Sequence, residues 1–491
     1  MPDSAAPDAS PRQGQAPQPH SVISATMFRA YDIRGIAGED LTDDSIYLIG
    51  LAIGSYAIEF ANPMLYFGAD ARLSSPALAA SLKRGLLDAG CDIIDLGIVP
   101  TPLVYFATHT GACSSGVMLT ASHNPANYNG IKIVRSRACL TAEQIQGIRE
   151  RTLAIEAGQY QGFTGRQGSL TTHDMNGDYI ARVCADVKLD RRLRVVVDCG
   201  NAVPGVLAPA LFSGLGCEVM PMFCDLDGHF PNHHPDPTVA SNLDSLISEV
   251  RTRQADLGVA LDGDGDRVIL VTDKGRIIDT DRLLMLLVQH ILPHYDHPNV
   301  VFDVKCSNLL AGEIARHGGL PVMSRSGHSF MKQMMHETDA VVGGEFSAHV
   351  FIKDRWFGYD DGFYVAARFL EILAAGTLTA DAMLQSLPQS VVTPELRIDV
   401  DESRKFELMR RISQLASFPQ ARISLLDGVR ADFADGWGLI RASNTTPALL
   451  LRFEAGNPQS LHAIEDLFRR LLKQVDPQLD FSIPRQSLYT S

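Results

Sequence analysis

The chain has 491 residues and a formal net charge of -14, with 45% hydrophobic and 20% charged residues. A chain of this length is too long for one hydrophobic core, so several domains of ordinary globular composition are expected. The acidic balance argues against a nucleic-acid partner, and the longest apolar runs are too short to span a membrane.

The N-terminal tail and the cysteines bear on the location of the protein. Residues 1–20 are rich in Pro, Ala, Gln, Ser and Asp and have no apolar core, which predicts a disordered tail and not a secretion signal. The eight cysteines form no C-x-x-C pair, and most lie among apolar residues. Free thiols in a reducing compartment follow from this pattern, so we expect a cytoplasmic protein.

Three stretches repeat one order of apolar strand, polar loop, amphipathic helix, Gly-bearing turn and second apolar strand. The strands are predicted at 65–70 and 91–94, 195–198 and 217–220, and 300–303 and 320–323, with helices at 77–89, 206–212 and 309–317. Apolar strands that alternate with helices are typical of a buried, mostly parallel sheet. The repeat predicts three related mixed α/β domains, which we place at 21–168, 169–275 and 276–388.

The last part of the chain, 389–491, has a different pattern. Residues 395–400 alternate like a half-buried strand. A helix is predicted at 404–415, strands near 423, 428–433, 437–441 and 449–454, and a closing helix at 461–475. This order predicts a smaller α+β domain with an antiparallel sheet.

A first chemical motif, Thr120-Ala-Ser-His-Asn-Pro125, follows the apolar run 116–119. The end of a strand in an open α/β sheet is where ligands bind, and a positioned Ser122 hydroxyl could act as a nucleophile there. The alternative is a capping serine in a turn, which is far commoner for an arbitrary serine.

A second motif, Asp262-Gly-Asp264-Gly-Asp266-Arg267, follows the apolar run 257–261. Glycines let the chain curl so that three carboxylates face one point, and such hard oxygens suit Mg²⁺ or Ca²⁺. An EF-hand loop fits badly because Arg267 occupies the sixth position, where Gly is needed. A solvated acidic turn is disfavoured because the carboxylates repel one another without a cation. We therefore predict a Mg²⁺ site with a coordination position left for a phosphate oxygen on Ser122.

Two further segments offer groups for substrate binding. Residues 441–446 present a guanidinium, hydroxyls and an amide that can hold a phosphate, although a polar surface loop is an equal alternative. In 343–349, Glu345, Ser347 and His349 alternate, so on a strand they share one face suited to sugar hydroxyls. An edge strand with a polar face would have the same pattern.

Together with Tyr31-Asp-Ile-Arg34-Gly35, these motifs resemble, in their order along the chain, the α-D-phosphohexomutase family. The bacterial bifunctional phosphomannomutase/phosphoglucomutase branch is the most similar, and the resemblance runs from about Thr26 to the C-terminus. It implies four domains around a central cleft, a monomer that binds small phosphosugars, Mg²⁺, and glucose 1,6-bisphosphate as activator and intermediate. The implied reaction interconverts hexose 1-phosphate and hexose 6-phosphate through a phosphoserine.

The resemblance also implies a role for single residues. Ser122 would carry the phosphoryl group, and one of its oxygens would join Asp262, Asp264 and Asp266 on Mg²⁺. Charge and protons would be handled by Arg34, Lys132 and His328. Substrate would be bound by Tyr31, Arg267, Lys305, Glu345, Ser347, His349, Arg441, Ser443, Asn444 and Thr445.

Small departures from the family pattern leave fine specificity open. Ala121 and Ala348 stand where relatives often have Gly, and Phe346 stands where Met is frequent. The preference between mannose and glucose stays open, and the sugar segment lacks the Gln typical of phosphoglucosamine mutases, which makes that activity the second choice. A metal-dependent sugar phosphatase is the alternative from another class. A sensor without catalysis is disfavoured, because binding alone does not need a nucleophile.

Overall fold

The computed structural model describes residues 21–29, 32–443, 446–482 and 489–490, so the predicted tail at 1–20 lies outside the described residues. Within these ranges the chain forms four β-sheets that follow one another in sequence. The first three are mixed and the fourth is antiparallel, which confirms the predicted fold class. No single described helix is long and apolar enough to cross a membrane, whereas one bent pair, Gly362–Ala375 with Ala380–Ser386, passes that test together.

The first sheet carries the serine motif at the end of a buried strand. Its strands are β1 Ile33–Ile36, β2 Met64–Ala69, β3 Asp92–Ile98, β4 Gly116–Leu119, β5 Tyr128–Arg135, β6 Ala138–Cys139 and β7 Leu170–Thr172, and its helices are α1 Asp43–Glu59, α2 Ser75–Asp88, α3 Thr101–Thr110 and α4 Ala142–Glu156. The order is β1-β5-β4-β2-β3-β7, with β6 beside β5. Strand β7 lies beyond the boundary expected at residue 168 and still pairs with β3. The domain boundaries themselves stay predictions.

The second and third sheets repeat the strand–helix–strand order of the first. The second unit has α5 Asn176–Asp186, β8 Arg194–Asp198, α6 Ala208–Gly214, β9 Glu218–Met222, α7 Asp244–Arg253, β10 Leu257–Leu261, β11 Val268–Thr272 and β12 Ile277–Ile278. The third has α8 Thr280–Ile291, β13 Asn299–Asp303, α9 Asn308–Arg316, β14 Leu320–Ser324, α10 His328–Glu337, β15 Val342–Gly344, β16 Val350–Ile352, α11 Gly362–Ala375 and α12 Ala380–Ser386. In all three sheets the predicted strand pair (β2–β3, β8–β9, β13–β14) is parallel.

The fourth sheet is antiparallel and stands after the other three in the chain. Its elements are β17 Val391–Val392, β18 Leu396–Asp399, α13 Glu402–Leu415, β19 Arg422–Ser424, β20 Val429–Phe433, β21 Gly436–Ala442, β22 Ala448–Ala455, α14 Pro458–Val475 and β23 Tyr489–Thr490. The order is β19-β20-β21-β22-β17-β23, and β18 also pairs with β22. Strands β21 and β22 flank the predicted phosphate loop and fix its two ends.

The contacts between units differ in character. One continuous apolar cluster joins the first three units, and it includes Phe106, Tyr179 and Phe363. The fourth unit docks on the third through buried polar groups and a small apolar contact. Arg430 Nη1 donates to the Cys306 carbonyl at 2.9 Å, Ser307 Oγ donates to Glu454 at 2.6 Å, and Val304 packs with Trp437 and Leu439. Because polar interfaces permit relative motion more readily than large apolar ones, we expect the fourth unit to be the one that shifts.

A buried carboxylate, Asp361, connects the second and third units within the apolar cluster. Tyr179 Oη donates to both of its oxygens at 2.8 Å, and Trp356 Nε1 donates to one of them at 3.2 Å. Burial raises the pKa of Asp361 to about 7, although these hydrogen bonds oppose the shift. An aspartate in an unfolded chain has a pKa near 3.9. Between about pH 3.9 and about 7, the folded protein therefore binds the Asp361 proton more tightly than the unfolded chain does.

This pKa shift predicts a pH dependence of stability. The free energy of unfolding is expected to fall as pH rises from about 4 to about 7, by up to roughly 4 kcal/mol from this group. Asp361→Asn cannot ionise and should lack that contribution. Thermal unfolding of both proteins between pH 5 and pH 8 measures the difference, and parallel curves would contradict the expectation.

Candidate active site

Ser122 lies in the tight loop between β4 and β5, with the hydroxyl aimed at the metal motif. Its φ of +51° is unusual for a residue with a side chain, and it is 2% exposed. The Ser122 N–H donates to Thr120 Oγ1 at 2.9 Å, and the Ser122 hydroxyl donates to Asp262 Oδ2 at 2.7 Å. The His123 Nδ1 atom is 3.1 Å from Ser122 Oγ. The hydroxyl is therefore held in one direction by two neighbours.

The backbone of this loop is held by Arg72, which follows β2. Its guanidinium is 2% exposed and pairs with Asp70 at 3.1 Å. It donates to four loop carbonyls, those of Ser122 and Asn124 at 2.7 Å each, Pro125 at 2.6 Å and Tyr128 at 3.1 Å. These four hydrogen bonds hold the backbone of the loop in which Ser122 has its uncommon conformation.

We expect Arg72→Lys to lower the activity of this site by about 10²-fold, because one ammonium group cannot donate to four carbonyls as the guanidinium does. The loss should fall on kcat more than on KM, since Arg72 holds the backbone of the Ser122 loop. Steady-state kinetics measures this, with the exposed Arg192→Lys as the matched control. An unchanged kcat in a folded Arg72→Lys variant would refute the positioning role.

The three carboxylates of the second motif converge in the loop between β10 and β11. Asp262, Asp264 and Asp266 are 0% exposed, and each offers an oxygen that lies within 4.8 Å of the others. The backbone N–H groups of Gly265 and Arg267 donate to Asp262 Oδ1 at 3.0 and 3.1 Å. Burial, with the neighbouring Asp264 and Asp266, raises the pKa of Asp262 well above its usual range.

The close approach of the two loops depends on Gly263. A Cβ atom at this position would lie 2.1 Å from the Ser122 carbonyl oxygen. Any larger residue would therefore separate the serine from the carboxylates. The glycine that sequence reasoning assigned to chain curvature also permits this interdomain contact.

Lys132 on β5 is the counter-charge of this cluster. Its Nζ lies 2.6 Å from Asp264 Oδ2 and 2.6 Å from Asp266 Oδ2. Burial alone would lower the pKa of Lys132, but the two carboxylates raise it, so the ammonium form is retained. Asp264 Oδ1 and Asp266 Oδ1 are buried and accept no hydrogen bond. Two unpartnered carboxylate oxygens beside Asp262 fit a hard cation.

The sugar motif contacts the metal motif through His349, which meets both Arg267 and Asp266. Arg267 Nε donates to His349 Nε2 at 2.9 Å, and the backbones of these residues form an isolated antiparallel bridge. His349 Nδ1 lies 3.1 Å from Asp360 Oδ2. Lys332 pairs with the other oxygen of Asp360 at 2.7 Å, and His328 Nδ1 is 3.7 Å from Asp360 Oδ2. Asp360 Oδ2 thus lies near both histidines.

Burial and the nearby charges shift the pKa values of His328 and Asp360. Burial and the nearby Lys332 ammonium lower the pKa of His328 well below its usual range. Asp360 keeps a pKa well below its usual range: burial would raise it, but Lys332 and His349 outweigh that effect. Asp266, His349 and Asp360 also have ligand atoms within 4.8 Å of one another, although Lys332 already balances the charge of Asp360.

Glu345 and Ser347 lie in the turn between β15 and β16, and not on the strand that their alternation predicted, yet their side chains meet. Ser347 Oγ donates to Glu345 Oε2 at 3.1 Å, and the Gly327 N–H donates to Glu345 Oε1 at 2.8 Å. Burial raises the pKa of Glu345. Lys305 Nζ is 4.0 Å from both Asp303 and Glu395, so its ammonium stands between the third and fourth units.

Asp427 connects Arg441 of the predicted phosphate loop to Ser326 in the third unit. Arg441 is 4% exposed, and its Nε and Nη2 lie 3.1 and 3.0 Å from Asp427 Oδ2. The same carboxylate oxygen accepts from the Ser326 N–H at 3.0 Å. Ser443 Oγ accepts from Thr446 at 2.8 Å, whereas Asn444 and Thr445 lie outside the described residues.

Arg34 lies beside the serine loop, on β1. Its guanidinium donates to Asn124 Oδ1 and to Asp32 Oδ2, each at 2.5 Å. Arg34 thus shares a neighbour with Arg72, since both contact Asn124. Tyr31 lies outside the described residues.

Sequence reasoning missed several residues that complete this site, namely Arg72, Thr101, Asp360, Lys332 and Asp427. Thr101 donates to Asp264 Oδ2 at 2.6 Å from the start of α3. An Asp-x-Arg after a strand end was visible at 70–72, and an Asp pair before a helix at 360–361. Their partners are distant in sequence, so neither signal alone identified a contact.

Comparison with known proteins agrees with this geometry. Models of phosphoglucomutase/phosphomannomutase α/β/α domains I, II and III match residues 25–159, 177–275 and 279–391, and that of the C-terminal domain matches 395–471. A Pseudomonas putida protein named phosphomannomutase/phosphoglucomutase is 46% identical over 459 residues, covering 94% of this chain and 98% of its own. Its Pseudomonas aeruginosa counterpart is 47% identical over 457 residues, covering 93% and 97%.

Solved structures give the same result. A phosphoglucomutase/phosphomannomutase family protein from Burkholderia thailandensis superposes with a TM-score of 0.88 at 42% identity, covering 94% of this chain and 99% of that one. The four domain models together match most of the chain in the order of the four sheets. The chain belongs to the phosphoglucomutase/phosphomannomutase family of α-D-phosphohexomutases.

Proposed function

We propose that this protein interconverts hexose 1-phosphates and hexose 6-phosphates, with mannose and glucose as the sugars. The observation that carries the proposal is the Ser122 hydroxyl, 2.7 Å from Asp262 within a cage of three buried carboxylates. A relative 46% identical over 94% of the chain is named phosphomannomutase/phosphoglucomutase, which supports this activity over the phosphoglucosamine mutase alternative.

Mg²⁺ is the metal that we propose for Asp262, Asp264 and Asp266. The three carboxylates are buried together, and two of their oxygens accept no hydrogen bond, which suits a cation with oxygen ligands. When bound, the ion supplies positive charge next to the oxygen of Ser122. Lys132 already contributes one charge to this cluster and would remain beside the phosphoryl group.

In the proposed reaction Ser122 carries the phosphoryl group. The free 6-hydroxyl of a hexose 1-phosphate attacks the phosphorus in line, the new P–O bond forms, and the bond to Ser122 Oγ breaks. Arg34 and Lys132 stabilise the charge on the transferred group. A general base must take the hydroxyl proton, and Lys132, Arg34 and His328 are the candidates.

The first transfer yields a hexose 1,6-bisphosphate, with the glucose form as the proposed activator. This intermediate must turn end over end so that its 1-phosphate faces Ser122, and transfer back leaves hexose 6-phosphate. The sugar would be held by Arg267, Lys305, Glu345, Ser347 and His349, with Tyr31 nearby. The distal phosphate would be held by Arg441, Ser443, Asn444 and Thr445. Each set must accept the sugar in two orientations.

We expect the fourth domain to rotate when substrate binds, because its contacts with the third are polar and can be exchanged. Small-angle scattering should record a smaller radius of gyration on addition of glucose 1,6-bisphosphate with Mg²⁺. The same titration with glucose, which has no phosphate for Arg441, is the control. Identical curves with and without the bisphosphate would count against the rotation.

The proposed reaction is tested by ³¹P NMR of the protein with Mg²⁺, mannose 1-phosphate and a trace of glucose 1,6-bisphosphate. Mannose 6-phosphate without inorganic phosphate is the expected outcome. Release of inorganic phosphate would instead identify a sugar phosphatase. A parallel reaction with glucosamine 1-phosphate compares the two mutase activities, and faster conversion of that substrate would favour the alternative.

A monomer in the cytoplasm remains part of the proposal. All eight cysteines carry free thiols, which is typical of a reducing compartment. Sedimentation at several protein concentrations measures the oligomeric state.

A further inference from the structure

Two cysteine thiols contact each other at one edge of the second sheet. Cys199 directly follows β8, and Cys224 lies two residues after β9. These strands are parallel neighbours whose last residues, Asp198 and Met222, are paired in register. The Cys199 N–H donates to the Met222 carbonyl at 3.2 Å, and the two Sγ atoms are 3.5 Å apart.

This arrangement suits a disulfide. An S–S bond is about 2.05 Å long, so the two sulfur atoms have only about 1.5 Å to close. The backbone that leads into each cysteine is already fixed by the strand pairing.

The two thiols are not equivalent. Cys199 is fully buried, whereas Cys224 is half-buried and is the member that an oxidant can reach. The hydrogen bond with Cys199 lowers the pKa of Cys224, so its thiolate is the more populated of the two. By contrast, burial raises the pKa of Cys217, in the same sheet region, to about 12.

We propose that Cys199 and Cys224 form a reversible thiol–disulfide site for oxidants of the peroxide class. The Cys224 thiolate attacks one oxygen of hydrogen peroxide, the O–O bond breaks, and the departing hydroxide takes up a proton as water. The Cys199 sulfur then attacks the sulfenic acid sulfur, the S–O bond breaks, and the second water leaves with the Cys199 proton. One peroxide is reduced to two waters while two thiols become one disulfide, which an external dithiol can reduce again.

The bond would act on the loop that supports the metal motif. Cys199 leads into Asn201, whose carbonyl accepts from the Asp227 N–H at 2.9 Å and whose side chain accepts from Asn232 at 2.7 Å. Asp198 pairs with His233 at 2.9 Å, and two residues later the Pro235 carbonyl accepts from the Gly263 N–H at 3.0 Å. A disulfide that displaces Cys199 would therefore also displace Gly263, which allows Ser122 to lie next to the carboxylates. The oxidised protein should transfer phosphate more slowly.

The test treats the full-length protein with hydrogen peroxide and follows intact mass, peptide mapping and mutase activity. The wild type should lose two hydrogen atoms, yield a Cys199–Cys224 cross-linked peptide and lose about tenfold or more of its activity. Dithiothreitol should restore both. Cys217→Ser, the matched control, should respond like the wild type, whereas Cys224→Ser should form no such peptide and keep its activity under peroxide.

Mass and peptide mapping do not depend on the mutase reaction, so they separate failure of this proposal from failure of the proposed function. Gain of oxygen on Cys224 without a cross-link would overturn the proposal, as would a cross-link between other cysteines. A fully cross-linked protein with unchanged activity would overturn it too. Cys199→Ala, which leaves no buried hydroxyl, serves as the second variant if Cys224→Ser fails to fold.

Discussion

Ser122→Ala should lose at least about 10⁴-fold of the mutase activity, because the substitution removes the hydroxyl that donates to Asp262 and is proposed to carry the phosphoryl group. The deletion removes the atom that forms the covalent intermediate, whereas the loop should persist, since Arg72 and Thr120 hold it through its backbone. Kinetics with mannose 1-phosphate measures the loss. Labelling of the protein by radioactive glucose 1,6-bisphosphate should disappear in parallel.

The exposed Ser213→Ala in the second domain is the matched control and should retain activity and label. If Ser122→Ala still becomes labelled, another residue is the nucleophile. If it is labelled but inactive, Ser122 limits turnover without accepting the phosphoryl group. Either result would contradict the role proposed for Ser122.

Asp264→Asn should lower activity by about 10³-fold and weaken Mg²⁺ binding. Asp264 accepts from Lys132 and Thr101 through one oxygen, and its other oxygen is buried without a hydrogen bond. The amide removes a negative charge from the cage, and its NH₂ group cannot bind a cation. Chelation of the wild type should abolish activity, and added Mg²⁺ should restore it.

The exposed Asp190→Asn changes the net charge equally and should behave like the wild type. Calorimetry with Mg²⁺ separates a binding defect from a catalytic one. Activity that survives exhaustive chelation would exclude a metal at Asp262, Asp264 and Asp266. Equal Mg²⁺ affinity in Asp264→Asn and the wild type would remove Asp264 from the ligand set.

Sequence periodicity located the main elements, and local capping chemistry explains the remaining offsets. The helix predicted at 206–212 is observed as α6 Ala208–Gly214 after a 3₁₀ turn at Val203–Val206, because Pro204 and Pro209 each start a new helical segment. The closing helix begins at Pro458 and not at 461, since Asn457 caps it by accepting from the Ser460 N–H.

The site residues were predictable where one short segment of the sequence contains the reactive side chains. Ser122 and the carboxylates each follow an apolar strand, so each lies at the carboxyl edge of its own sheet, whereas the meeting of the two edges was implied only by the family resemblance. The Arg72 contacts with four carbonyls were not predictable, since they join loops about 50 residues apart whose separation depends on how β2 and β4 pair. Asp360 was missed for the same reason, as its partners come from α10 and from the β16 end of the sugar motif.

The pairing of Arg441 with Asp427 has a consequence for turnover. An arriving phosphate does not meet an uncommitted cation, because it must share a guanidinium that a carboxylate already holds at 3.0 Å. Repulsion between the phosphate and Asp427 would therefore offset part of the attraction between the phosphate and Arg441, which would lower the affinity for the phosphate. Asp427 also accepts from the Ser326 N–H, so loosening Arg441 loosens the junction of the third and fourth domains. In the proposed reaction the bisphosphate has to dissociate from Arg441 and turn around, and the pairing of Arg441 with Asp427 would limit the strength with which it is held.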